Sequence, residues 1–214
     1  MTSQASASRD DILLALLKAA RVVPVITIER TEDAVPLARA LVAGGVRTLE
    51  ITLRTAAAVG AAEAIIAQVP EAVVGIGTVL TPLDLARAKA LGARFALSPG
   101  ATPELLNAAA ETDLPFVPGI ATASELMAAL VRGFGVYKFF PAQQAGGIPA
   151  LRALGGPFPQ ARFCPTGGVG EANAAEWLAE PNVVAVGGSW LCPAADIRAG
   201  NWDKITTLAR RAMQ

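Results

Sequence analysis

The sequence predicts a (β/α)8 TIM barrel of the α/β class with one additional N-terminal helix. Eight short segments rich in β-branched residues alternate along 214 residues with alanine- and leucine-rich segments of helical periodicity. The strand-to-strand period is about 20 to 26 residues, which fits βα units around a parallel sheet. Because no linker divides the chain, we expect residues 1–214 to form a single domain, with 1–8 as a flexible N-terminus.

The predicted strands are runs of valine, isoleucine or aromatic residues bounded by glycine, proline or polar residues. They cover residues 22–28, 48–53, 72–79, 94–98, 115–120, 136–141, 162–167 and 183–188. A doubly wound open sheet is the alternative architecture. Such a sheet normally has a glycine-rich turn after its first strand, and the stretch VITIERTED at 25–33 contains no glycine.

The predicted helices have apolar residues at helical spacing, and several begin with threonine followed by an acidic residue. They cover residues 9–20, 32–44, 55–69, 82–91, 103–111, 123–132 and 171–179. Thr81 and Thr102 each stand directly before a proline. This order places a capping hydroxyl and a first-turn proline at the start of a helix.

The composition argues against several classes of partner. Lys and Arg number 18, as do Asp and Glu, so no basic surface for nucleic acid is expected. No apolar stretch reaches the ~20 residues of a membrane-spanning helix. The start MTSQASASRDD lacks the regions of a signal peptide, and two cysteines are too few for a disulfide framework, so we expect a cytoplasmic protein. The hydrophobic fraction of 53% favours a homo-oligomer.

The chain contains no histidine. Its absence excludes Ser-His-Asp and Cys-His nucleophile systems, imidazole general bases and histidine-rich metal sites. The chemistry must therefore use other groups.

Polar residues on the second predicted strand share one face. Glu50, Thr52 and Arg54 have the parity of the barrel interior, whereas the leucine and isoleucine residues between them suit the helix-facing side. Barrel interiors are mostly aliphatic, so three polar residues here favour a site. The alternative is that Glu50 and Arg54 only neutralise each other or other buried charges. Glu50 and Arg54 lie about 13 Å apart at Cα in an extended strand, and we expect each to have a different partner.

Lys138 stands inside the apolar run GVYKFFPA at 135–142. A buried ammonium group without a partner is costly and tends to lose its proton, which makes the amine a nucleophile. The alternative is a lysine that forms a salt bridge with Glu50 and has no chemical role.

Glycine pairs follow the last two predicted strands, in PTGGV at 165–169 and GGSW at 187–190. Barrels often bind phosphate at this position through free backbone N–H groups, and Thr166 and Ser189 add hydroxyl donors. GIGTVL at 75–80 and LSPG at 97–100 place Thr78 and Pro99 at the same end of the barrel. For these two, ordinary turn chemistry is the alternative.

Several segments together resemble the 2-keto-3-deoxy-6-phosphogluconate (KDPG) aldolase family, which includes 4-hydroxy-2-oxoglutarate aldolases. The matching segments are VVPVI, ALVAGGVRTLEITLRT, VGIGTVL, SPG, PGIAT, YKFFPA, RFCPTGGV and GGSWL. The resemblance implies a class I aldolase that works without metal or cofactor, usually a homotrimer, in the Entner–Doudoroff pathway. It implies a phosphorylated 2-oxo acid as substrate, with pyruvate and glyceraldehyde 3-phosphate as products.

The resemblance also implies residue roles. Lys138 would form the Schiff base and Glu50 would be the general acid and base. The groups that hold the pyruvate portion would be Arg54 and Thr78, with Pro99 and Thr166 nearby. The groups that receive the phosphate would be Gly167, Gly168, Gly188 and Ser189. In one departure, Gln143 follows FPA where relatives often carry an acidic residue.

Other functions remain open at this point. A phosphosugar isomerase or epimerase would use Glu50 as base and Lys138 only as an electrostatic clamp. A non-catalytic sensor would bind a phosphosugar without turnover. Within the aldolases, the sequence does not separate gluconate- from galactonate-derived substrates, or either from 4-hydroxy-2-oxoglutarate.

Overall fold

The computed structural model describes residues 9–214, so the flexibility expected for 1–8 lies outside the described residues. Each observed strand falls within one of the predicted segments. The strands are β1 Val22–Ile26, β2 Thr48–Thr52, β3 Val73–Gly77, β4 Phe95–Leu97, β5 Phe116–Val117, β6 Gly119–Ile120, β7 Val136–Phe139, β8 Arg162–Phe163 and β9 Val186–Gly188. The observed strands are shorter than predicted, because several predicted segments continue into the loops that follow.

The strands form a curled parallel sheet. One part has the order β5-β4-β3-β2-β1-β9, and the other has the order β6-β7-β8. Pro118 separates β5 from β6, because proline has no N–H to donate to a neighbouring strand. Parallel bridges at Phe163↔Val183 and Thr166↔Gly187 link the chain around β8 to the chain around β9. The α/β class and the parallel sheet are as predicted.

Helices follow most strands. They are α1 Arg9–Ala20, α2 Ala34–Ala43, α3 Ala58–Gln68, α4 Pro82–Ala90, α5 Pro103–Glu111, α6 Ala123–Leu130, α7 Gly147–Gly155, α8 Ala174–Leu178, α9 Ala194–Ala199 and α10 Trp202–Ala212. The two predicted caps are confirmed: the Thr81 hydroxyl accepts from the Asp84 N–H, and that of Thr102 accepts from the Leu105 N–H. Within residues 9–214, no helix combines the length and hydropathy needed to cross a membrane.

Three helices were not predicted. The segment of α7 begins at Gly146-Gly147 and contains Pro149, and these residues normally indicate a turn. The other two, α9 and α10, lie beyond residue 188, where no element was predicted. The predicted helices 55–69 and 171–179 are shorter in the structure, as α3 and α8.

Apolar side chains form two layers, one on each face of the sheet. Leu49 and Ile51 of β2 belong to the outer layer between sheet and helices, as their parity predicts. Val23 belongs to an inner cluster that Leu13 and Leu17 of α1 also join. The Asp10 carboxylate of α1 accepts the N–H of Gly135, which directly precedes β7. α1 therefore packs against the inner cluster at the N-terminal ends of the strands.

An ionic cluster joins α9 to α10. The buried Asp196 carboxylate accepts hydrogen bonds from Lys204 Nζ at 3.0 Å and from Asn201 Nδ2 at 2.9 Å. These two donors hold the pKa of Asp196 below its ordinary value. The folded chain thus binds fewer protons at this carboxyl than the unfolded chain does. Its stabilising contribution is present above the unfolded pKa of ~3.9 and is lost as the pH falls through the folded pKa.

We therefore expect Asp196→Asn to lower the melting temperature at pH 7, and we expect this effect to shrink as the pH falls through the folded pKa of Asp196, because the native carboxyl is then itself protonated. Thermal unfolding followed by circular dichroism at pH 7 and at successively lower pH values measures the change. Asp203→Asn, at an exposed position of α10, is the control and should change stability little. An Asp196→Asn effect that keeps the same size throughout the acid range would contradict the assignment.

Candidate active site

A buried ion pair lies on the inner face of the sheet. Lys138 of β7 and Glu50 of β2 place Nζ and Oε1 2.8 Å apart, and their side chains are 4% and 1% exposed. Glu50 was predicted to face inward from the parity of its strand, and Lys138 was predicted to be buried from its place in an apolar run. Arg54, in the turn after β2, is exposed and makes no side-chain hydrogen bond or ion pair within residues 9–214. Glu50 and Arg54 therefore do not pair with each other, as the sequence predicted.

The surroundings of the pair are mainly apolar. The ring centroid of Phe140 lies 5.7 Å from Lys138 Nζ. Cys164 is buried in the inner cluster, and burial raises the pKa of its thiol to about 12. The thiol therefore stays protonated near neutral pH. Cys164 is therefore a small core residue and not a nucleophile, because the thiolate is the nucleophilic form of cysteine.

Two glycines of β3 make room on the inner face, and the sequence reasoning did not identify this role. A Cβ atom on Gly77 would lie 2.1 Å from Glu50 Oε1, and one on Gly75 would lie 2.3 Å from the Phe95 ring. Any larger residue at position 77 would occupy the space of the carboxylate. The stretch GIG could have indicated this role, because residues two apart on a strand face the same side and both glycines therefore leave space on one face of β3.

A cavity of about 320 Å³ opens at the C-terminal ends of the strands, and we call it the mouth cavity. Six of the predicted binding residues line it: Arg54, Thr166, Gly167, Gly168, Gly188 and Ser189. Val25 also lines the cavity and pairs in register with Glu50, so the ion pair lies at the level of its floor. Lys138 and Glu50 do not themselves line the cavity, so the structure places the amine and the carboxylate below it and the glycine loops around it.

The glycine loops present free donors to the mouth cavity. The N–H groups of Gly167, Gly168 and Ser189 have no acceptor among residues 9–214. Gly167 and Gly168 have φ values of +96° and +75°, a conformation that glycine adopts without strain. Unpaired backbone donors that face a cavity form a binding site for an anion.

Gln143 lies beside the first of these loops. Its N–H donates to the carbonyl of Gly167 at 3.0 Å. A Cβ atom on Gly168 would lie 2.4 Å from the Cβ of Gln143, so the side chain packs directly on the glycine. The residue that departs from the family pattern is therefore next to the candidate anion site and carries no charge.

Thr78 and Pro99 lie at the ends of β3 and β4, outside the lining of the mouth cavity. Thr78 is half-buried with a φ of +61°, which is rare for a β-branched residue and typical of functional positions. Gly119 packs against Pro99, because a Cβ there would lie 2.2 Å from the Pro99 carbonyl carbon. The sequence could not predict either backbone feature.

A buried amine in contact with a carboxylate, below a mouth with free N–H groups, is the arrangement that imine formation with an anionic carbonyl compound requires. The family model for KDPG and KHG aldolases matches residues 13–208. The chain belongs to this family.

Individual relatives cover nearly the whole chain. The KHG/KDPG aldolase of Escherichia coli K12 is 54% identical over 93% of each chain. A KDPG aldolase of Legionella pneumophila, solved with pyruvate captured at low pH as a covalent carbinolamine intermediate, has a TM-score of 0.91. It is 48% identical and covers 96% of this chain and 98% of its own. The Zymomonas mobilis KDPG aldolase solved with 3-phosphoglycerate has a TM-score of 0.89, is 43% identical and covers 96% of each chain.

The position of Gly77 leads to a structural prediction. In a Gly77→Ala variant, we expect the new methyl group to displace the Glu50 carboxylate from Lys138 Nζ and to destabilise the fold by ~1–3 kcal/mol, because overpacking forces neighbours aside. A crystal structure measures the displacement and urea unfolding measures the stability.

Gly60→Ala is the matched control. A Cβ at Gly60 in α3 would lie 3.6 Å from its nearest neighbour, at ordinary contact distance. Alanine is favoured over glycine inside a helix, so this variant should be neutral or more stable by ~0.5–1 kcal/mol. An unchanged Lys138–Glu50 distance in Gly77→Ala would show that Gly77 does not set the position of the carboxylate.

Proposed function

We propose that the protein is a class I aldolase that cleaves 2-dehydro-3-deoxy-6-phosphogluconate to pyruvate and glyceraldehyde 3-phosphate. The observation that carries the proposal is the buried contact of 2.8 Å between Lys138 Nζ and Glu50 Oε1. Membership of the KDPG and KHG aldolase family supports it. The carbinolamine of pyruvate in the Legionella pneumophila relative supports a covalent intermediate.

Lys138 is the proposed nucleophile. After transfer of its proton to Glu50, the neutral amine attacks the C2 carbonyl of the substrate and forms a carbinolamine, which loses water to give a protonated imine. The C3–C4 bond then breaks, and its electron pair passes to the imine and forms an enamine. Protonation of C3 and hydrolysis of the resulting imine release pyruvate and return the free amine.

Glu50 is the proposed general acid and base. As a carboxylic acid it donates the proton that removes water from the carbinolamine, and as a carboxylate it accepts the proton of the C4 hydroxyl during cleavage. The same group can return that proton to C3 of the enamine. The contact with Nζ supports this role, because one carboxylate then reaches the amine and the carbons next to it.

Binding of the two ends of the substrate is proposed for the residues around the mouth. The pyruvate carboxylate would be held by Arg54 and Thr78, with Pro99 and Thr166 nearby, and the phosphate would be held by Gly167, Gly168, Gly188 and Ser189. The free guanidinium of Arg54 and the unpaired N–H groups of the glycine loops support these assignments. The complex of the Zymomonas mobilis relative with 3-phosphoglycerate supports a phosphate ligand.

A second substrate is 4-hydroxy-2-oxoglutarate, which would give pyruvate and glyoxylate by the same steps. The name of the Escherichia coli relative, a KHG/KDPG aldolase, favours this addition. The galactonate-derived isomer of the main substrate remains the alternative within the aldolases. An isomerase or epimerase is disfavoured, because the relatives described above are named aldolases.

We also propose that the protein is a single-domain enzyme with one closed eight-stranded barrel, β5 and β6 counting as one strand, and that α1 is the additional helix. The bridges between the chain segments around β8 and β9 support closure. A homotrimer is supported by exposed apolar side chains on α4 and α6, such as Leu83 and Met127. A cytoplasmic role in the Entner–Doudoroff pathway follows from the proposed substrate.

Trapping with borohydride tests the nucleophile. In the presence of pyruvate, we expect reduction to fix a pyruvate-derived adduct on Lys138, located by peptide mass spectrometry, and to abolish activity. Lys138→Arg should form no adduct and lose nearly all turnover. Lys89→Arg, at an exposed lysine paired with Asp113, is the matched control and should behave as the parent. Substantial turnover in Lys138→Arg would favour an isomerase or epimerase instead.

Glu50→Gln tests the acid and base. The amide cannot accept the proton of Lys138 and leaves the ammonium without its counter-charge, so kcat should fall by about 10²–10⁴-fold. Release of pyruvate, measured by a coupled assay, gives the rate. Glu63→Gln, at an exposed position of α3, is the control and should be unaffected. A folded Glu50→Gln enzyme with the parental kcat would remove Glu50 from the proton transfers.

A further inference from the structure

Two threonine hydroxyls on neighbouring strands form a hydrogen-bonded chain with a fixed direction. The Thr52 hydroxyl donates to the carbonyl of Ile26 at 2.8 Å. The hydroxyls of Thr27 and Thr52 lie 3.1 Å apart. A hydroxyl has one proton, and a carbonyl oxygen can only accept. Because Thr52 donates its only hydroxyl proton to the Ile26 carbonyl, Thr27 must be the donor in the hydrogen bond between the two threonines.

Thr27 consequently offers only acceptor capacity to other partners. Its proton points to Thr52, and the two lone pairs of its oxygen are the free part of its hydroxyl. Thr52 is fully buried, whereas Thr27 is half-buried and lines the mouth cavity. A group that binds Thr27 from the cavity must therefore be a hydrogen-bond donor.

Thr27 lies between the two ends of the proposed substrate site, which are Lys138 and the loop that contains Ser189. Val25 is in register with Glu50, so Thr27 stands two residues, or ~7 Å, closer to the mouth than the floor of the cavity. The strand on the other side of β1 is β9. Pro24 of β1 is in register with Gly188 of β9, which directly precedes Ser189 and its free N–H group. A substrate that is bound to Lys138 at one end and to the Ser189 loop at the other would place its middle carbons beside Thr27.

We propose that Thr27 is a specificity-determining residue that accepts a hydrogen bond from the hydroxyl next to the aldehyde carbon in the aldehyde half of the substrate. The inference rests on the proposed aldolase function and adds to it a preference for 2-hydroxy aldehydes with a distal phosphate over aldehydes without the hydroxyl. Glyoxylate has no such hydroxyl and gains nothing from this contact. A site built to pair with a hydroxyl discriminates against analogues that lack it, because the site's own polar group then stays unpaired.

The test measures condensation of pyruvate with two aldehydes, D-glyceraldehyde 3-phosphate and 3-oxopropyl phosphate, which lacks the 2-hydroxyl. The parent should favour the hydroxylated aldehyde in kcat/KM. Thr27→Val has nearly the same shape without the hydroxyl, and we expect it to reduce this preference on the order of tenfold. A merely structural role would lower both kcat/KM values together and leave their ratio unchanged.

Two further variants serve as controls. Thr27→Ser keeps the hydroxyl and should keep the preference. Thr55→Val removes a threonine hydroxyl that donates to the Ile28 carbonyl and does not line the mouth cavity. The ratio of the two kcat/KM values in this variant should equal that of the parent. If Thr27→Val kept the parental ratio of the two kcat/KM values, the proposed role of Thr27 would be wrong and the aldolase function would stand. Failure of the parent to condense pyruvate with either aldehyde would overturn the aldolase function and this assignment with it.

Discussion

The ion pair between Lys138 and Glu50 is the constraint on which the site depends. Moving two charges out of water costs several kcal/mol per ion, and their mutual attraction offsets this cost only when the geometry is close. Removal of one partner from a buried pair typically costs ~3–5 kcal/mol, whereas apolar replacements of both are often neutral. A stable fold therefore does not require this pair. The proposed reaction, which needs a proton donor and a proton acceptor in contact, would account for its presence on the inner face.

The architecture around the pair divides the inner face into an apolar part and a polar part. Towards the N-terminal ends of the strands, side chains such as Val23 and Phe95 pack with the leucines of α1. Towards the C-terminal ends, threonines and glycine loops surround the mouth cavity. Gly77 stands at the boundary and leaves the space that the Glu50 carboxylate fills. The position of the charges thus depends on small residues as much as on the charged ones.

The sequence predicted the strand segments and the inward face of β2, because alternation with period two is visible in single residues. It placed Lys138 and Glu50 inside the fold but left open whether they meet, since distances between β2 and β7 depend on the whole sheet. It could not predict the positive φ of Thr78 or the steric role of Gly77, which exist only once neighbouring strands pack. The helix α7 was missed because its glycines and proline resemble a turn.

The position of α1 has a consequence for the order of events in the proposed reaction. Leu13 and Leu17 pack into the inner cluster at the end of the strands opposite the mouth. Ligands therefore enter and leave through the mouth, and the carbons bound to Lys138 are the deepest. After cleavage, the aldehyde lies between the enamine and solvent, so it must depart first and pyruvate second. In the proposed reaction, this geometry favours an ordered release of products, with the aldehyde before pyruvate.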